Sequence, residues 1–314
     1  MLGRGAGEGV RGDGYAMSED QPTGSAASVG VEVADAPAAQ AMARFDAIYD
    51  QPDPRAYFRA LGPLAYRTPG HAQHIFRRLK QALSTGPATT PLTVLDLCCS
   101  YGINAALLNH DVTLEDLYDR YTSREAAAMS TSQLIDWDRE FFAARRRRDP
   151  ARVIGLDTAA RAVAYGRAVG LLADGFAENL ESAPPGPALR RAVRDARLIT
   201  VTGGSSFLSH RTFRPLLSAA RGPVWVAAFV LRTTSYTSVG DCLAAFGLAT
   251  ERAAPTYPQR RFTDEGERRY AIDAVVAAGL DPEGKECDGH FHTALHLSRP
   301  TSDVVMTPLD TLVP

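Results

Sequence analysis

The run Leu92-Thr93-Val94-Leu95-Asp96-Leu97, continued by Cys98-Cys99-Ser100-Tyr101-Gly102, decides the fold of this chain. Its first six residues are mostly apolar and β-branched and follow Pro91, which predicts a short buried strand of a parallel sheet. Residues 103–108 predict a helix that starts directly after Gly102. Strand, tight turn and helix in that order make a nucleotide-binding unit.

A second run, Arg152-Val153-Ile154-Gly155-Leu156-Asp157, also ends in an acid. It leads into a helix predicted over 159–173, in which Ala159, Val163, Gly166 and Val169 share a face. Further strands are predicted over 176–180, 198–202, 224–232, 248–254 and 290–297, with a helix over 264–278 before the last. This alternation predicts an α/β fold: a Rossmann-like, doubly wound, mostly parallel sheet with helices on both faces and an antiparallel strand at its C-terminal edge.

Asp157 follows Asp96 by 61 positions, against about 20 in a compact dinucleotide-binding unit. The excess, residues 111–149, carries apolar clusters such as Leu134-Ile135-Asp136-Trp137 and predicts a helical insertion that forms a wall or lid. Residues 43–90 predict an N-terminal helical lid or substrate cap, with one helix over 71–82 closed by Ser84-Thr85-Gly86-Pro87. The main domain is expected over 91–300, followed by a C-terminal tail over 301–314. Residues 1–42, rich in Gly, Ala, Ser and acids, predict a disordered tail and not a signal peptide; Met1 and Met17 both remain open as the start.

With 34 basic and 36 acidic side chains, the 314-residue chain lacks the positive field of a non-specific nucleic-acid binder, so a small-molecule partner is expected. No apolar run is long enough for a membrane helix. The four cysteines lack the density of a secreted disulfide scaffold, and a reducing cytoplasm is the expected location. The oligomeric state is left open, a homodimer being one option.

In an open α/β sheet, ligands bind beyond the carboxyl ends of the strands. Small residues at Cys98, Ser100 and Gly102 let a ligand approach the backbone, and Gly102 suits a turn. Asp157 can accept hydrogen bonds from ribose hydroxyls. The two strand ends together describe an adenosine-bearing ligand. A dinucleotide fold would need G-x-G-x-x-G at the first turn, which Cys98 and Ser100 fit poorly.

The loop resembles the first motif, D-x-G-x-G-x-G, of the class I S-adenosylmethionine (SAM)-dependent methyltransferases; here the pattern reads Asp96, Cys98, Ser100, Gly102. The resemblance covers residues 92–300. It implies that Asp96 and the backbone of 98–102 hold the methionine part of SAM, that Asp157 with Thr158 holds the ribose, and that Asn179 and Leu180 lie near the adenine. It further implies a methyltransferase (EC 2.1.1 class) transferring a methyl group in line to a small metabolite. A SAM-consuming lyase or cyclase that releases methylthioadenosine, and a non-catalytic SAM-binding protein, stay open beside it.

Acid–base candidates are Tyr57, Tyr66, His71 and His210, with His74 and Tyr236 as further possibilities, each having a structural reading as well. A sulfonium is drawn to aromatic faces, which favours Tyr57 or Tyr66 beside it. Thr202-Gly203-Gly204-Ser205-Ser206-Phe207 follows a strand and is expected to border the pocket. Arg145-Arg146-Arg147-Arg148 reads as a solvated helix end before Pro150. His290, His292 and His296 share one strand face, read as an exposed edge and not as metal ligands, and Cys98-Cys99 lacks zinc-site spacing, so no metal is expected.

Overall fold

The computed structural model describes residues 45–84 and 90–313; the expected tail over 1–42 lies outside them, as do Thr85, Gly86 and Pro87. Helices α1 (Asp46–Tyr49), α2 (Arg55–Leu61) and α3 (Thr68–Leu83) precede β1 (Thr93–Leu97). After α4 (Ile103–Asn109), the expected insertion is filled by α5 (Leu114–Thr122), α6 (Arg124–Ala128) and α7 (Thr131–Ala144). Then follow β2 (Arg152–Asp157), α8 (Ala160–Ala168), β3 (Asp174–Ala177), α9 (Pro187–Ala192), β4 (Ala196–Val201), α10 (His210–Ala219), β5 (Trp225–Leu231) and α11 (Thr237–Ala244). The chain ends with β6 (Leu248–Arg261), α12 (Glu265–Ala277), β7 (His290–Pro300), α13 (Thr301–Met306) and α14 (Leu309–Leu312).

The seven strands form one sheet in the order β3-β2-β1-β4-β5-β7-β6. The first five are parallel, and β7 runs antiparallel to both its neighbours. Alternate strand residues feed two apolar cores. Val94, Val153, Leu198 and Phe229 pack under α3, α4 and the insertion, whereas Leu95, Ile154, Ile199 and Val226 pack against α9, α10 and α11. The chain is therefore a doubly wound, Rossmann-like α/β protein with helices on both faces. Its strand order reverses between β1 and β4, where such sheets bind ligands.

The insertion is capped at each step: Thr113 with Asp116, and Ser130 with Gln133, form reciprocal capping boxes. Its anchor is Asp138, fully buried, whose Oδ1 accepts from Arg120 Nε at 2.7 Å and whose Oδ2 accepts from the hydroxyls of Tyr121 and Tyr165 at 2.6 and 2.5 Å. Tyr165 belongs to α8, so this network ties the insertion to the main domain.

Several boundaries differ from expectation. The antiparallel strand is not at the edge: β7 lies between β5 and β6, so His292 and His296 are half-buried and not on an exposed edge face. Burial pushes both imidazoles down to about 4, and His296 packs against Tyr236 with ring centroids 4.6 Å apart. The third strand occupies 174–177, earlier than 176–180, because pairing with β2 sets its register. The helix expected over 159–173 stops at Ala168, before Gly170 turns with φ +80°. β6 runs on to Arg261 instead of ending at 254. Residues 301–312 form two short helices, and Leu312 and Val313 are buried in the same core as α3.

Candidate functional site

Cys98, Ser100 and Gly102 all have positive φ, at 53°, 48° and 82°. These alternate positions are the ones at which the motif cited above has glycine, and the backbone shape explains why: left-handed φ costs a side chain about 1–2 kcal/mol. The turn is held by tertiary contacts. Cys99 N donates to Leu156 O at 3.3 Å, and Ser100 N donates to Asp157 Oδ2 at 2.8 Å. Gly155 in β2 leaves room for the loop, since a Cβ there would stand 2.6 Å from Cys99 Sγ.

Asp96 is almost fully buried. Its Oδ1 accepts from Asn104 Nδ2 at 2.8 Å and from Thr200 Oγ1 at 2.7 Å, while Oδ2 has no hydrogen-bond partner. Burial is the main cause that raises its pKa to about 7, with the nearby Asp157 charge adding to it. Asp157 is half-buried, and each of its oxygens takes one backbone N–H, from Ser100 and from Ala159. A carboxylate oxygen can accept a second bond, so both atoms keep capacity for a ligand. Ser100 Oγ is a further buried atom without a partner.

The β4 end closes the other side of the loop. Thr202 Oγ1 accepts from Asn104 Nδ2 at 3.0 Å, linking it to Asp96. Gly204, with φ 71°, lies so close that a Cβ there would stand 2.7 Å from Cys98 Sγ, and one on Gly203 would stand 2.9 Å from Tyr66 Oη. Thr202-Gly203-Gly204 therefore borders the cluster, with Phe207 exposed at its rim.

Residues 45–66 cover these strand ends. The Tyr101 hydroxyl, on the loop itself, receives Gln51 N at 3.0 Å and lies within hydrogen-bond reach of the carbonyls of Gln51 and Ile48, while Asp50 Oδ1 accepts from Arg161 N at 2.7 Å. Tyr57 and Tyr66 are buried in this cover, with Tyr57 edge-on to Tyr49, Tyr66 and Tyr101. Burial pushes both hydroxyl pKa values well up, so they stay protonated. Two surface cavities, of about 440 and 390 Å³, lie elsewhere, one around Phe262 and Arg268 and the other around Arg167 and Phe176.

The structure thus gathers Asp96, Cys98, Ser100, Gly102, Asp157 and Tyr66, with Tyr57 beside them. Thr158 is exposed just past β2. Asn179 is exposed beyond the end of β3, its Oδ1 accepting from Glu181 N at 3.0 Å, and Leu180 is buried in the core against α9 and α10, so their side chains do not join the cluster. His210 is exposed on the first turn of α10. His71 packs on Tyr257, with ring centroids 5.4 Å apart. Sequence reasoning missed Asn104, Thr200 and Tyr257; nothing in their local sequence marks them. Among the described residues, no group of three or more metal-ligating side chains could hold a metal ion, and no helix is long and apolar enough to cross a membrane.

No family model matches the chain, and no curated protein is significantly similar to it. Among solved structures it is similar to magnesium protoporphyrin IX methyltransferase from Synechocystis, solved with S-adenosylhomocysteine (SAH), at 11% identity and a TM-score of 0.35 over 74% of this chain and 84% of that one. It is similar to the plantazolicin methyltransferase BamL, also solved with SAH, at 12% identity and 0.40 over 77% and 88%. A third is precorrin-6y C5,15-methyltransferase from Geobacter metallireducens, at 10% identity and 0.33 over 71% and 86%. Scores this low carry no inference about the chain, and its fold assignment rests on the strand order and helix placement described above.

Proposed function

We propose that the protein is a SAM-dependent methyltransferase that acts on a small-molecule acceptor. The observation that carries this reading is the β1 loop: left-handed backbone at 98, 100 and 102 between two acid-ended strands, at the point where the strand order reverses. The unpartnered Oδ2 of Asp96 fits the ammonium group of a methionine moiety, and the spare acceptor capacity of Asp157 fits ribose hydroxyls. The adenine contact proposed at 179–180 rests on backbone, given where those side chains lie.

SAM supplies an activated methyl group on a cationic sulfur. The chain's own part is to align the acceptor, exclude water and stabilise the cation. Asp96 balances positive charge, Tyr66 reaches Gly203 beside Cys98 with Tyr57 packed edge-on to it, and residues 45–66 lie over the strand ends.

Calorimetric titration with SAH tests the cofactor step. Binding that Asp157→Ala weakens supports the reading, and absence of binding rejects it. Product analysis tests the reaction: SAH is the expected product, and release of methylthioadenosine would replace methyl transfer with another use of SAM.

A further inference from the structure

We propose that His71 is the general base of this enzyme, accepting through Nε2 the proton of a hydroxyl or amine acceptor held between α3 and β6. The inference rests on the methyltransferase reading and adds to it the acceptor class and the residue that receives the proton.

Three buried side-chain atoms on this side of the sheet lack a well-formed hydrogen bond: Thr68 Oγ1, which has the Tyr66 hydroxyl beside it, His71 Nε2 and Tyr257 Oη. Thr68 is fully buried. Buried polar groups are normally paired, and a cluster of three that is not marks a place where a polar ligand would complete the hydrogen bonding. Two hydroxyls, each able to donate or accept, and an imidazole nitrogen suit a ligand bearing O–H or N–H groups better than an apolar one.

The cluster lies at the ligand-binding end of the sheet. Tyr257 pairs with Thr293, which pairs with Leu231, the last residue of β5. The segment carrying Tyr66 and Thr68 is bound to the same stretch of β6, since Arg67 N donates to Gln259 O at 2.8 Å and Arg261 N to Leu64 O at 2.7 Å. Tyr66, whose hydroxyl reaches Gly203 beside Cys98, therefore sits between the cofactor loop and the His71–Tyr257 pair.

Burial is the main cause that holds His71 below its ordinary pKa, and the Arg67 charge adds to it. A hydrogen bond from the imidazole to the Pro258 carbonyl and the Glu115 charge act in the opposite direction, without reversing the shift, and Tyr257 supplies an apolar ring face. The imidazole is thus neutral at pH 7 and free to take a proton. In the reaction, an acceptor oxygen or nitrogen forms its bond to the methyl carbon as the S–C bond breaks. The electron pair of that bond stays on sulfur, SAM becomes SAH, and the acceptor proton passes to Nε2 and then to solvent.

The test uses the full chain with labelled SAM and a panel of catechol, 4-hydroxybenzoate and benzylamine, with thiophenol as an acceptor already ionised at neutral pH. His71→Gln is expected to bind SAH with unchanged affinity and to methylate thiophenol at the wild-type rate. On the protic acceptors its kcat is expected to fall about 100-fold, with the plateau of the wild-type pH profile replaced by a rate that climbs toward the acceptor's own pKa. A variant with wild-type kcat and pH profile overturns the proposal, as does binding of SAH without turnover of any protic acceptor by the wild type. Imidazole NMR gives a readout independent of the cofactor: catechol is expected to move the His71 Nε2 resonance, and an unmoved resonance at high catechol overturns the assignment. Failure of SAH to bind, with that resonance moving, would instead sink the cofactor reading and leave the polar pocket standing.

Discussion

The two rims of the candidate site are built by different means. The proposed cofactor rim is local: Asp96, Cys98, Ser100 and Gly102 lie within seven residues, and one further strand end, Asp157, completes it. The proposed acceptor rim is assembled from far apart, with Tyr66, Thr68 and His71 from before the sheet and Tyr257 from near its end. A local rim can be specified by a motif and backbone shape. A distant one depends on whatever holds β6 and residues 64–67 together.

The largest expected effect tests that dependence. The far end of β6 is anchored by Arg260, buried and doubly hydrogen-bonded to Glu267 at 2.8 and 2.6 Å. Arg260→Met removes the charged partner of a buried carboxylate and leaves it only neutral donors such as Thr263 N and Oγ1, which should cost about 3–5 kcal/mol in denaturant unfolding. If the rims are independent, the folded variant keeps its SAH affinity; a parallel loss of affinity would show that they are one unit.

Asp157→Ala probes the other rim. Losing a charged acceptor of backbone and ribose donors should weaken SAH binding by roughly 30-fold, about 2 kcal/mol. Turnover by the bound complex should change less than affinity does, which steady-state kinetics can separate.

Asp96 gives the cofactor rim a pH signature. Its folded pKa is raised from 3.8 to about 7, so its stabilising contribution is complete below 3.8 and is lost as pH rises through about 7. A bound cation should pull the pKa down. SAM binding near pH 6 is therefore expected to release close to one proton, and near pH 8 almost none, as measured by calorimetry in buffers of different ionisation enthalpy. Equal release at both would remove Asp96 from the contact.

The smallest effect is on the loop itself. Cys98→Gly removes a side chain from a left-handed position and should stabilise the fold by about 1 kcal/mol, raising Tm by about 2–4 °C. No change would mean that the surroundings of Cys98 offset its backbone cost.

β1, β2, the helical insertion and the two acids were legible because each is written in consecutive residues with a clear apolar pattern. Tyr257 was not, because the strand carrying it was expected to stop before Pro255. Pro255 and Pro258 are tolerated since β6 is an edge strand, paired on one side only. The histidines of β7 looked exposed for the same reason: their one-faced spacing says nothing about which strand lies outside them.

By itself, the chain's order of residues determined a doubly wound α/β sheet and the place of its first ligand loop, since periodicity and turn chemistry act over neighbouring positions. Only the tertiary structure decided that Cys98 and Ser100 adopt glycine-like backbone, that Asp96 is buried with one free oxygen, and that His71 meets Tyr257. Those outcomes depend on which distant groups share hydrogen bonds and exclude water together, a property of the packed whole that no window of sequence contains.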